Sequence, residues 1–189
     1  GGQALVVAGY IDGAGKNVTQ GAIDTGAFDM FLFPDGMIGA NLENFGTDID
    51  GSLGTVPGLD PTNPAASAMA KIGEANGFAG GDAFVGESYD AAALMLLAMA
   101  SAKSSDPQVY KDHIMKVANG TGEKIYPGEL AKGIKLASYG VAIDYVGASS
   151  VSLIGPGEAA GNFREIQIQN GKMVDVNYRC LLYTSDAAD

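Results

Sequence analysis

Short apolar runs alternate with amphipathic stretches through the first third of the chain, and this alternation predicts its architecture. Ala4–Ala8 is an apolar run ending at Gly9-Tyr10, and Met30–Phe33 is another ending at Pro34-Asp35-Gly36. Between them Lys16–Ala27 has a helical period, with Val18, Ala22 and Ile23 on one side and Gly26 near its end. Strand, helix, strand with short loops is a βαβ unit, and its two strands should lie parallel. Ala40–Phe45 predicts a short helical segment. Gly51–Val56 reads as a strand leading into Pro57–Pro61, a cluster of turn formers that marks a crossing between structural units.

The middle of the chain is helical by the same signals. Thr62-Asn63-Pro64 starts a helix that runs to about Asn76-Gly77 and buries Ala68, Met69 and Ile72. Ala83–Val85 reads as a brief extended piece, and Ser88 as the cap of an apolar helix, Tyr89–Ala102, covered on most sides. Asp106-Pro107 starts another helix with Tyr110, Ile114 and Val117 inward and Asn119-Gly120 as its stop. Glu129–Tyr139 is a shorter one ending at Gly140. Gly155–Gly161 is a second loop-rich crossing. Apolar residues then alternate on both sides of Asn170-Gly171, from Arg164 to Gln169 and from Lys172 to Val176, which predicts a β-hairpin.

Composition narrows the function classes. With 47% apolar and 17% charged residues the chain is globular, and its 189 residues make one ordinary domain or parts of two. A net charge of −11 without a basic stripe repels phosphate backbones and argues against nucleic-acid binding. The longest apolar run, Ala91–Ala100, is too short to span a bilayer. No signal peptide is visible. The last ten residues, Cys180–Asp189, resemble the translation of a sequencing-library adapter. Together with the start directly at a buried strand, this predicts a fragment whose only cysteine belongs to a foreign tail.

Candidate chemistry is sparse. Gly13-Ala-Gly15-Lys16 lacks both the earlier Gly and the following Ser or Thr of a phosphate-binding loop, so a helix start accounts for it better. His113, the only histidine, has no companion ligands and is expected on the surface. Asp48 with Asp50, and Asp106 with Asp112, have the spacing of solvated loops or helix caps. No catalytic constellation and no metal or cofactor site emerges. Tyr10 and Asp35 remain, each just after one of two successive parallel strands, where open α/β sheets bind their ligands. An aromatic face beside a carboxylate suits an alkylammonium group. The competing reading makes Asp35 a turn residue and Tyr10 a half-buried filler.

The order of several pieces resembles the solute-binding proteins of branched-chain amino-acid ABC transporters. These pieces are Ala4–Tyr10, Gly26–Asp29, Pro34–Met37, Gly51–Pro57, Ser88–Leu94 and the Asn170–Lys172 turn, and the similarity spans about residues 1–178. The resemblance implies a type I periplasmic-binding-protein fold, two Rossmann-like α/β lobes that close on a ligand, with its amino-terminal half missing. On that reading residues 1–58 are part of the carboxyl-terminal lobe, and 59–160 are the returning part of the amino-terminal lobe. Residues 161–178 are the hairpin that rejoins the first lobe, and 179–189 are the foreign tail. The resemblance also implies a non-enzymatic, periplasmic or extracytoplasmic protein without cofactor, which takes an aliphatic amino acid and delivers it to a membrane permease. Tyr10 would pack on the ligand's amino-acid end, Asp35 bind its ammonium and Phe84 wall its side chain. The carboxylate-binding groups would lie in the missing half. A ligand sensor or receptor domain shares the fold. A Rossmann-type enzyme would need a Gly-x-Gly-x-x-Gly turn, which is not found.

Overall fold

The computed structural model describes residues 2–150, 152–155 and 158–181, with side chains through Arg179 apart from Pro156, Gly157 and Val151. These residues divide into two units, one comprising 2–57 and 163–179, the other 58–162 with 180–181.

In the first unit, β1 (Leu5–Val6), α1 (Ala14–Thr25) and β2 (Phe31–Phe33) form the βαβ unit expected from the sequence. The two strands are parallel, with Leu5 opposite Phe31. A 3₁₀ turn, Asp35–Met37, and a 3₁₀ stretch, Ala40–Ile49, lead to β3 (Leu53–Pro57), again parallel to its neighbour β2. β7 (Glu158–Gln169) pairs antiparallel with β3, Pro57 opposite Phe163, and β8 (Lys172–Leu181) pairs with β7. Asn170 and Gly171 both take positive φ, 53° and 71°, as a two-residue hairpin turn requires.

One face of this sheet carries the core: Val7, Phe31, Phe33 and Ile168 pack with Ile11, Met37, Leu42, Phe45 and Ile49. The alternate residues Val6, Leu32 and Leu53 point to the other face and are exposed. They line a groove with Thr55, Val176 and Arg179. β1, β2 and β3 are laid down in one direction across the sheet. Right-handed crossovers then put both connections on one face and leave the other uncovered.

The second unit is mostly helical: α2 (Pro64–Asn76), α3 (Val85–Ala102), α4 (Pro107–Ala118) and α5 (Leu130–Ser138), with a parallel strand pair, β4 (Glu123–Ile125) and β5 (Ile143–Tyr145). Its core gathers Leu94 and Leu97 of α3 with Val117, Ile125, Ala137, Ile143 and Tyr145. Asn63 caps α2 and Asp106 caps α4, each accepting an amide hydrogen bond at 2.9 Å. A short β6 (Ser152–Gly155) pairs antiparallel with the start of β7.

Several expectations need correction. α1 begins at Ala14, and its buried face is Gly15 and Thr19 with Ala22 and Ile23 half-buried; Val18 is 51% exposed. Thr19 is buried at no polar cost because its hydroxyl donates to the Gly15 carbonyl at 3.0 Å. The segment at 83–85 is not extended. Phe84 has φ 66° and α3 begins at Val85, so Ser88 lies within the first turn, its amide donating to the Phe84 carbonyl, instead of capping the helix. α3 is also less covered than its composition suggests, with Met95 and Leu96 exposed. In α2, Ala65 and Met69 are the buried apolar residues, while Ala68 and Ile72 are half-buried. Of the expected loop at 155–161, residue 155 and residues 158–161 are strand and 156–157 lie outside the described residues, and the 3₁₀ stretch extends past Phe45 to Ile49 by turning at Gly46. The hairpin's last strand runs on to Leu181; residues 182–189 of the expected foreign tail lie outside the described residues.

Candidate functional site

The carboxyl ends of β1 and β2 are pressed together by glycine. The Ile11 amide donates to the Gly36 carbonyl at 3.0 Å, tying the two strand-end loops to each other. A Cβ on Gly36 would fall 2.6 Å from the Gly9 carbonyl oxygen and 3.1 Å from Cδ1 of Tyr10, so only glycine fits there. Tyr10 therefore lies with its ring against the Gly36 backbone, one residue from Asp35. Its ring is open to solvent, 76% exposed. Asp35 opens the 3₁₀ turn and is also exposed. Its Oδ1 accepts the Gly36 amide at 2.9 Å, which orients the carboxylate and leaves Oδ2 without a hydrogen bond among the described residues.

Both members of the sequence-derived pair thus stand at Gly36, forming a ledge at the ends of neighbouring parallel strands: an aromatic ring near its Cα and an oriented carboxylate bonded to its amide. Such a ledge can take a cationic amine by cation–π attraction and a charge-assisted hydrogen bond. Nothing in it supplies a nucleophile with a base. Phe84 belongs to the second unit. It caps the amino end of α3 in the left-handed region at 44% exposure, an uncommon conformation for a bulky residue.

The second unit also holds a residue that sequence reasoning passed over. Asp90, on α3, is 2% exposed. Its carboxylate accepts hydrogen bonds from Tyr145 Oη (2.7 Å), the Ala148 amide (2.6 Å), and the Ser149 amide and hydroxyl (2.7 and 2.5 Å). Burial, first, and then the neighbouring Asp90 charge push the Tyr145 phenol well above its ordinary pKa. A signal was available, because Asp90 is the sole charge between Ser88 and Ala102. His113 is half-buried and not on the surface as expected. It shares a face of α4 with Tyr110, Ile114 and Val117, and its Nδ1 lies 2.9 Å from Ser101 Oγ. Among the described residues no three His, Cys, Asp or Glu side chains are placed to hold a metal ion, and no helix is long and apolar enough to cross a membrane.

A mixed sheet whose first three strands run parallel, and a chain that leaves one α/β unit and returns to it, match a known class of architecture: the periplasmic-binding-protein fold, present here in part. Among solved structures the chain is similar to the leucine-binding protein LivK of Thermotoga maritima. The TM-score is 0.65 and the identity 21%, over 93% of this chain and 44% of that one. It also aligns with a branched-chain amino-acid ABC transporter protein of Thermus thermophilus with bound valine, at TM-score 0.48 and 16% identity, over 94% of this chain and 45% of that one. This chain therefore spans less than half the length of either structure. No protein-family model matches it, and no curated protein does.

Proposed function

We propose that this chain is the later part of an extracytoplasmic solute-binding protein that captures an aliphatic amino acid for an ABC permease. The observation that carries the reading is the Tyr10–Asp35 ledge, because it offers the two groups an α-ammonium needs and none that a reaction needs. Likeness to a leucine-binding fold supports the same ligand class. On this reading Tyr10 and Asp35 receive the ammonium, and Phe84 is the aromatic that meets the ligand's side chain. The first unit corresponds to part of the carboxyl-terminal lobe, the second to the returning part of the amino-terminal lobe. The groups that bind the ligand's carboxylate come from an amino-terminal half outside this sequence.

Calorimetric titration of the complete protein with leucine, isoleucine, valine and alanine tests it. Asp35→Ala should weaken binding of whichever ligand the parent prefers by about 2–4 kcal/mol, the scale for leaving a desolvated charge unpaired. Unchanged affinity in the variant would remove Asp35 from the site.

A further inference from the structure

Asp90 does more than satisfy itself. Its four hydrogen bonds come from Tyr145 at the end of β5 and from Ala148 and Ser149 in the segment that follows, and that segment is in turn bonded onward. The Ser149 carbonyl accepts from Asn162 Nδ2 at 2.9 Å, and the Asn162 carbonyl accepts the Gly58 amide at 3.0 Å. Next to it Ser150 Oγ accepts from Asn63 Nδ2 at 3.3 Å, and Asn63 is the residue that caps α2. Gly147 is fitted to the arrangement twice over: its φ is 74°, and a Cβ there would lie 2.7 Å from Asp90 Oδ2. A continuous path of hydrogen bonds thus runs from the second turn of α3, through Ser149 and Asn162, to Gly58. Residues 58 and 162 are the places where the chain enters this unit and leaves it for the first one. Phe84 stands at the other end of the same short stretch of helix, six residues or about 9 Å along the axis from Asp90.

We propose that Asp90 is a positioning residue that locks the start of α3, with Phe84 at its cap, to both crossing segments as one rigid piece. The consequence for binding rests on Phe84 meeting the ligand as proposed above; the latch itself does not. An ion-like acceptor suits this task better than an apolar side chain. Burial makes every missing hydrogen bond costly, so the carboxylate admits a single arrangement of the Ala148 and Ser149 amides. Packing alone would tolerate several.

Amide hydrogen exchange on the chain as it stands tests the latch without any ligand. Asp90→Asn should speed exchange at Ala148, Ser149 and also Gly58 by about tenfold or more, while Glu123 and Asn119, bonded elsewhere in the same unit, stay unchanged. Ser149→Ala should give the same pattern more weakly, and Ser149→Thr, which keeps the hydroxyl, should restore it. If Asp90→Asn does not fold, the Ser149 pair decides alone. Faster exchange at Ala148 and Ser149 with Gly58 unmoved would reduce Asp90 to a loop anchor. A uniform rise across the unit would make it a general stabiliser. Either result overturns the proposal while leaving the amino-acid reading intact, and a failed amino-acid titration would leave the latch intact.

Discussion

Asp50 Oδ1 accepts the amide of Gly171 at 2.8 Å, across 121 residues of sequence, and Oδ2 takes the neighbouring Asn170 amide at 3.2 Å. The hairpin turn is thereby fastened to the residue that leads into β3. A two-residue turn with both φ positive leaves its amides pointing outward, and a carboxylate at that spot supplies what the ladder does not.

Asp50→Ala should therefore cost about 1–2 kcal/mol of stability, within the range for hydrogen bonds to a charged acceptor and reduced by solvent at this exposed site. Asp50→Asn should lose less. Urea denaturation of the two variants beside the parent measures the difference, and equal stability in all three would show that the turn holds itself.

Glu43 fastens the same hairpin one residue further along. Its carboxylate accepts from Lys172 Nζ at 2.7 Å and the Met173 amide at 3.1 Å, and these contacts hold its pKa below the ordinary glutamate value. A depressed folded-state pKa contributes stability that is present above the unfolded value and lost as pH falls through the folded one. Melting temperatures of the parent and Glu43→Gln should consequently differ at pH 7 and converge on acidification from about pH 5 to pH 3. A gap that stays constant over that window would mean that Glu43 carries no charge-dependent stability.

Tyr145 should ionise above the ordinary tyrosine range. Raised by burial and by Asp90, its phenol favours the folded state below the unfolded tyrosine value near pH 10, and that contribution is lost as pH rises above it. An ultraviolet titration of the native protein should show a late phenol step beyond that range. Tyr145→Phe should abolish that late step and cost about 1–3 kcal/mol, since it leaves a buried acceptor short of a donor. A titration curve unchanged in Tyr145→Phe would place the late phenol elsewhere.

The open sheet face should make the chain self-associate. Val6, Leu32 and Leu53 form an apolar strip across β1, β2 and β3, and parallel strands are ordinarily covered on both faces. Leu32→Gln should lower light scattering of the purified chain and its binding of a hydrophobic dye. Its stability should change little, because Leu32 is already 37% exposed. Unaltered scattering would shift the sticky surface to another region, such as Met95 and Leu96 of α3.

Tyr10 should act through its ring. In the complete protein Tyr10→Phe should bind the amino acid nearly as well as the parent, while Tyr10→Ala should lose about 1–2 kcal/mol or more. The hydroxyl has no partner among the described residues, whereas the ring is seated on Gly36. Equal losses in the two variants, read by calorimetry, would assign the work to the hydroxyl instead.

Elements whose signals are local can be read directly from the chain. Alternating runs around a helical stretch gave the parallel pair β1 and β2, Asn63-Pro64 and Asp106-Pro107 gave two helix starts, and Asn170-Gly171 gave the hairpin turn. The sequence also places Tyr10 and Asp35 at strand ends, since a position after a strand is a property of the chain alone. Features set by neighbours distant in sequence emerge only once the chain is folded. The pattern at 83–85 reads as extended, yet the turn into α3 holds Phe84 in the left-handed region. The helical period puts Val18 inward, whereas the buried residue is Thr19, its hydroxyl bonded back to Gly15. Asp90 looked like one acid on an apolar helix. Its meaning depends on amides more than fifty residues away, which burial turns from optional partners into obligatory ones.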